Sequence, residues 1–194
     1  MKKTPEHTGC RTWPRPPPAP NGSEAVPVLI GRLSHEIVCV GVMTRMSRDG
    51  TCVVTEVSLS PPGTFWCSLE GDGAVMPYLR AIEEFLNGGR DSLADIRIDL
   101  GGCTGFPRRV TAAARNIPRG RTVSYAKLAA LAGSPRGARA AASVMRRNRF
   151  PLIVPCHRVI RSDGGIGGFM GCEEGPAVAM KRALLAREGA MVRC

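Results

Sequence analysis

Acidic residues are missing from a long stretch of this chain. Between residues 100 and 162 there is no aspartate or glutamate, against thirteen arginines and lysines. Residues 1–99 carry ten basic and twelve acidic side chains, and residues 163–194 carry four of each, so the net charge of +11 belongs to one segment. A solvated face normally intersperses both signs; a long run of one sign argues against that and marks the electrostatic footprint of a nucleic-acid surface. Long apolar runs are also missing. Nothing approaches the roughly 20 residues that a bilayer-spanning helix needs, and the basic start Met1-Lys2-Lys3 leads into no apolar signal core, so neither membrane insertion nor secretion is expected. Aromatic residues amount to 5%, which leaves the core to aliphatic side chains. Eight cysteines, unevenly spread and without an export signal, read as reduced thiols of an intracellular protein, in cytoplasm or nucleus, and not as a disulfide framework.

Residues 1–27, with Trp13-Pro14-Arg15-Pro16-Pro17-Pro18-Ala19-Pro20, hold too little apolar surface and too much proline to fold, and are expected to be a disordered or extended tail. Residues 28–101 change to short branched runs broken by turns. Residues 36–43 and 52–59 read as strands paired around Asp49-Gly50. Val75, Leu79, Ile82 and Leu86 have helical spacing, closed by Gly88-Gly89, and residues 96–100 alternate like a further strand. This is a small α/β unit. His35 and Cys39, with His7 and Cys10 in the tail, are the only candidates for a structural zinc, and their spacing matches no compact zinc signature.

After Gly101-Gly102, residues 102–194 form a second, mainly helical unit. Phe106, Val110, Ala113 and Ala114 space a helix that the segment 117–121 ends. Ser124 is placed to cap a helix over residues 125–132, closed by Gly133; Ser134 then caps a second, with Pro135 at its first position and its body over residues 136–147. Two helices around so short a turn make a helix-turn-helix. Arg136, Arg139, Ser143, Arg146 and Arg147 recur on one face of the second helix. Gly137, Ala138, Ala140 and Ala142 keep it slim, which lets such a helix approach a nucleic-acid groove while arginines reach phosphates.

The segment ends at Val154-Pro155-Cys156-His157-Arg158-Val159. A thiol beside a histidine, behind a rigid proline, has the parts of an activated nucleophile, because the thiolate is the reactive form. A Cys-His pair alone is more often an inert buried thiol; its setting decides.

The series Ile117-Pro118-x-Gly120-x-x-x-Ser124-Tyr125, Leu128-Ala129-x-x-Ala132-Gly133, Ala138-Arg139-Ala140, Met145-x-x-Asn148 and Pro155-Cys156-His157-Arg158-Val159 resembles the methylated-DNA–protein-cysteine methyltransferases, the O6-alkylguanine-DNA alkyltransferases. The likeness covers residues 106–189 and is weak before them. It implies an α+β protein, with a ribonuclease-H-like α/β domain followed by a winged-helix-like domain holding the helix-turn-helix. It implies a cofactor-free DNA repair reaction by a monomer, cooperative binding on DNA being an option. An alkylated guanine is flipped from duplex DNA and its alkyl group passes irreversibly to a cysteine. By resemblance Cys156 is the acceptor, His157 its water-mediated base and Glu188 the group orienting that base. Tyr125 protonates the departing guanine and Asn148 braces the turn. Arg139 fills the gap left by the base, while Ser124, Arg136, Arg146 and Arg147 hold DNA. Val154, Pro155, Val159, Phe169 and Met170 form the pocket. Phe169 stands where the family usually has tyrosine, Thr111 where tryptophan is common, and residues 170–179 are a few positions longer than usual.

Two other classes use the same residues differently. A helix-turn-helix regulator would leave Cys156 unmodified, and a thiol hydrolase built on Cys156, His157 and Glu188 would turn over many substrate molecules.

Overall fold

A computed structural model describes residues 28–47, 49–64 and 69–192. The proline-rich segment 1–27, with His7 and Cys10, lies outside the described residues, as does Arg48 in the first turn. The fold is mixed helix and sheet. Four antiparallel strands, β1 (Val28–Ser34), β2 (Cys39–Met46), β3 (Cys52–Ser60) and the short β4 (Leu69–Gly71), stand in the order β3-β2-β1-β4. The expected hairpin forms: Met46 pairs with Cys52 across a turn in which Gly50 has φ 77°, a left-handed value that suits glycine.

Helix α1 (Met76–Leu86) packs against β1 and β4 and buries Leu79, Ile82, Phe85 and Leu86. It can come so close because β1 presents a glycine there. A Cβ on Gly31 would stand 2.4 Å from Val75 Cγ1 and 2.7 Å from Leu79 Cδ1, well inside contact distance. The strand expected over residues 96–100 is not formed. Ile98 makes one isolated parallel bridge to Val54, after which Asp99 turns its carboxylate to Arg45 Nε at 2.9 Å and Gly101 N at 2.8 Å, ending the extension.

The second half is built from α2 (Gly105–Arg115), α3 (Tyr125–Leu131), α4 (Ala138–Arg146) and α5 (Pro176–Arg187). Ser124 caps α3 as expected, its hydroxyl accepting Lys127 N at 3.1 Å. The start of α4 differs from the expectation. Ser134 and Pro135 do not cap it; they open a turn closed by Gly137 N donating to Ser134 O at 2.8 Å, and the helix begins at Ala138. Proline at the second position of a turn satisfies the same φ preference as proline at a helix start, so the local signal fits both.

Two short parallel strands, β5 (Val123–Ser124) and β6 (Val159–Ile160), pair Val123 with Val159 and Ser124 with Ile160. Cys156-His157-Arg158, a single 3-10 turn, runs directly into β6, and Tyr125 leaves β5. That ladder fixes the thiol against the start of α3. One apolar cluster runs through both halves, from Val40, Val42 and Val57 to Leu128, Val154 and Leu184.

Candidate active site

Cys156 is buried, with 5% of its surface exposed, at the floor of an open cavity of about 340 Å³. Tyr125 from α3, Arg139, Ser143 and Arg146 from α4, and Phe169, Met170 and Glu173 from the loop before α5 line the same cavity. Asn148 braces the approach to the thiol: its Nδ2 donates to Val154 O at 2.8 Å, and its Oδ1 accepts Phe150 N at 3.0 Å. Leu152, at φ 73°, holds the left-handed bend between them. Because residues 156–158 form a turn and not a strand, Cys156 and His157 are not forced to opposite faces.

His157 is fully buried and directs Nε2 at Glu188 Oε1, 2.8 Å away. Its Nδ1 is a buried nitrogen with no hydrogen-bond partner among the described residues. With Nε2–H donating to the carboxylate, Nδ1 carries the lone pair, the tautomer a base requires. Burial lowers the imidazole pKa against the opposing pull of Glu188, so the ring is neutral at pH 7. Burial would raise the Glu188 pKa, but hydrogen bonds from His157 and Arg158 outweigh it and hold the carboxyl at about 2. Burial pushes the Cys156 thiol up, opposed by the Asn148 amide and the Lys181 charge, so the resting group is S–H and needs a base to react. Burial, with Cys156 and Glu173 nearby, takes the Tyr125 phenol to about 12 and keeps its proton on.

Gly120 explains the glycine of the first motif. Its N–H donates to Glu188 Oε2 at 3.1 Å, its φ is 72°, and a Cβ there would meet the Glu188 carbonyl oxygen at 2.9 Å. Glu188 also receives Arg158, through Nε to both oxygens at 3.1 and 3.0 Å and through Nη2 at 2.9 Å. The same Nη2 reaches Asp91 in the first half at 2.7 Å.

Arg139 and Arg146 stand at the cavity mouth. Arg136 is exposed in the turn before α4, and Arg147 is exposed at its end beside a second cleft. Phe169 and Met170 wall the cavity; Val154, Pro155 and Val159 are buried and do not line it. Sequence reasoning passed over two buried cations. Arg158 was inside the quoted motif but had no role. Lys181 of α5 is fully buried, donating to Val159 O and Ile166 O at 2.7 Å and to Gly168 O at 3.2 Å. Burial lowers its pKa to about 8. Its signal was legible, since position 181 shares the helical face of Ala177, Met180, Leu184 and Leu185. As for metal, His35 spends both ring nitrogens locally, Nδ1 accepting Ile37 N at 3.2 Å and Nε2 lying 3.3 Å from Asn87 Oδ1. Among the described residues no cluster of three or more His, Cys, Asp or Glu is placed to hold a metal, and no helix is long and apolar enough to cross a membrane.

Residues 105–190 match the family model for the 6-O-methylguanine DNA methyltransferase DNA binding domain. A methylated-DNA–protein-cysteine methyltransferase of Methanothermobacter thermautotrophicus is 44% identical over 158 residues, 81% of this chain and 83% of that protein. The chain belongs to the methylated-DNA–protein-cysteine methyltransferase family. It is thus a methyltransferase of the class whose acceptor is a protein cysteine. The mouse (Mus musculus) protein of that name is 54% identical over a shorter 70 residues, 36% of this chain and 31% of its own length. Two solved structures share the alkyltransferase fold along most of the chain. Mycobacterium tuberculosis OGT in complex with DNA gives a TM-score of 0.62 at 31% identity, covering 81% of this chain and 91% of that one. Mycobacterium tuberculosis O6-methylguanine methyltransferase gives 0.64 at 28% identity, covering 84% and 93%.

Proposed function

We propose that this chain repairs O6-alkylguanine in duplex DNA, chiefly O6-methylguanine and secondarily O4-methylthymine, by flipping the base into the cavity and moving its alkyl group onto Cys156. The observation that carries this reading is the line from thiol to carboxylate: a buried cysteine on a cavity floor, the next residue a neutral histidine with a free Nδ1, and Glu188 fixing the other nitrogen.

The Cys156 proton passes through a water to His157 Nδ1, and Glu188 stabilises the imidazolium that results. The sulfur attacks the alkyl carbon, the bond from that carbon to O6 breaks, and its electron pair stays on guanine. Tyr125 supplies the proton that neutralises the departing base and recovers one from His157 through solvent. Atoms and charge balance without a cofactor. The product thioether has no bond that water can readily break, so each molecule acts once.

An alkylated guanine pairs poorly and costs less to extrude than a normal base. Arg139 at the cavity mouth fills the gap, Ser124, Arg136, Arg146 and Arg147 hold the backbone, and Phe169 and Met170 wall the flipped base. Val154, Pro155 and Val159 support the pocket from behind. We read residues 28–101 as a ribonuclease-H-like unit and residues 102–194 as a winged helix-turn-helix alkyltransferase unit. The partner is double-stranded DNA and the protein a monomer, in a compartment that keeps thiols reduced, inside the cell.

The test is mass spectrometry after incubation with duplex containing O6-methylguanine. One added methylene mass on the peptide holding Cys156 is expected. Its absence from reduced, folded protein overturns the reading; repeated turnover would indicate a hydrolase, and an unmodified thiol with retained DNA affinity a regulator.

A further inference from the structure

The loop before α5 brings into the cavity a carboxylate that alkyl transfer does not use. Phe169 and Cys172 close a tight turn, with Phe169 N donating to Cys172 O at 2.8 Å and Cys172 N to Phe169 O at 2.9 Å. Met170 at φ 52° and Gly171 at φ 87° provide its left-handed backbone. The turn lays Glu173 back over the cavity wall, so that a Cβ on Gly168 would stand 3.1 Å from Glu173 Oε1. Glu173 lines the cavity together with Cys156 and Tyr125. It has no hydrogen-bond partner among the described residues, and its charge is felt by Tyr125 and Lys181.

We propose that Glu173 sets the charge selectivity of the alkyl pocket: O6 adducts that are neutral are admitted, and adducts ending in a carboxylate are turned away. This rests on the repair reading above. The positive groups nearby are otherwise engaged. Lys181 spends its donors on three carbonyls, and Arg161 is paired with Asp163 at 2.9 Å. Arg139 and Arg146 stand at the mouth, where DNA phosphates compete for them. An incoming carboxylate therefore meets the like charge of Glu173, exposed at the cavity edge, before it can reach the buried Lys181.

The experiment compares single-turnover transfer from duplexes carrying O6-methylguanine and O6-carboxymethylguanine, for the natural chain, Glu173→Gln and Glu173→Asp. The ratio of carboxymethyl to methyl rates is expected to rise by about tenfold or more in Glu173→Gln, the order of effect for a removed charge at this range. Glu173→Asp keeps the charge and should keep the natural ratio. Reading a ratio on one protein cancels any loss of folded material. An unchanged ratio in Glu173→Gln, or an equal rise in Glu173→Asp, overturns the proposal while leaving methyl transfer intact. A natural chain that transfers from neither duplex sinks the repair reading and this one with it.

Discussion

The two oxygens of Glu188 answer four N–H donors: His157 Nε2, Gly120 N, and Nε and Nη2 of Arg158. Glu188→Gln keeps the shape and removes the charge. Arg158 is then left buried against an amide, and the imidazolium formed during transfer loses its counter-charge. We expect the substitution to slow single-turnover methyl transfer by about 10² to 10⁴, the range of general-base catalysis. It should also cost about 3–5 kcal/mol in urea unfolding, as for a broken buried pair. Transfer within threefold of the natural chain would show that His157 is set by something else. Lys181 makes a second case at this scale. Lys181→Met fills the same volume but strips a donor from Val159 O, Ile166 O and Gly168 O. The loss of those bonds outweighs the relief of a buried charge, and a net destabilisation of about 2–4 kcal/mol is expected. An unchanged or higher denaturation midpoint would mean that burying the cation costs as much as its hydrogen bonds return.

At the scale of elements, the proposed function gives α4 the contact with DNA. Arg139→Ala should reduce transfer from duplex by about tenfold more than transfer from the free base, because only the duplex has a gap to fill at a cost of a few kcal/mol in unstacking. Equal losses on both substrates would remove the finger role. If Arg136, Arg146 and Arg147 reach phosphates while Arg139 fills the gap, log Kd against log salt should have a slope of about 3 in magnitude. Much at this scale was legible beforehand. The apolar spacing of α1 and α2, the Ser124 cap and the Gly133 stop, at φ 77°, all follow from local chemistry that needs no partner. What failed was local chemistry with two outcomes: Ser134-Pro135 serves a turn as well as a helix start, and the alternation at residues 96–100 needs a neighbouring strand that only Ile98 finds. The candidate site was legible where motif order placed Cys156, His157 and Glu188. Contacts made by the loop before α5, among them the position of Glu173 over Gly168, were not, because they depend on a turn whose shape composition does not specify.

Across the whole molecule the acid-free run has a use besides the proposed DNA contact. Several of its arginines point at the chain itself. Arg115 donates to Ala94 O and to Ile96 O at 2.8 Å, Arg119 to Gly89 O at 2.6 Å, Arg149 to Thr55 O at 2.9 Å, and Arg158 to Asp91 at 2.7 Å. Each joins the helical half to the sheet half: Arg115, Arg119 and Arg149 find carbonyls across the boundary, and Arg158 finds the carboxylate of Asp91. Charge counting cannot separate such stitches from DNA contacts. The stitches also put the cluster of Glu188, Arg158 and Asp91 at the junction of the halves, and Glu188 ties stability to pH. The Glu188 pKa is depressed to about 2 in the fold from an ordinary 4.5. The unfolded chain therefore binds more protons between those values, and the stabilisation, present above pH 4.5, is lost as pH falls through about 2. Its full size is about 3 kcal/mol, at 1.36 kcal/mol per unit. His157 acts in the same direction: its pKa is lowered in the fold, so protonating the unfolded chain below its ordinary 6.5 already favours unfolding. Urea midpoints should climb steadily from pH 3 to pH 7, and Glu188→Gln should flatten the part below pH 4.5. A flat profile for the natural chain, or an equal slope in the variant, would mean that other carboxylates govern its acid stability.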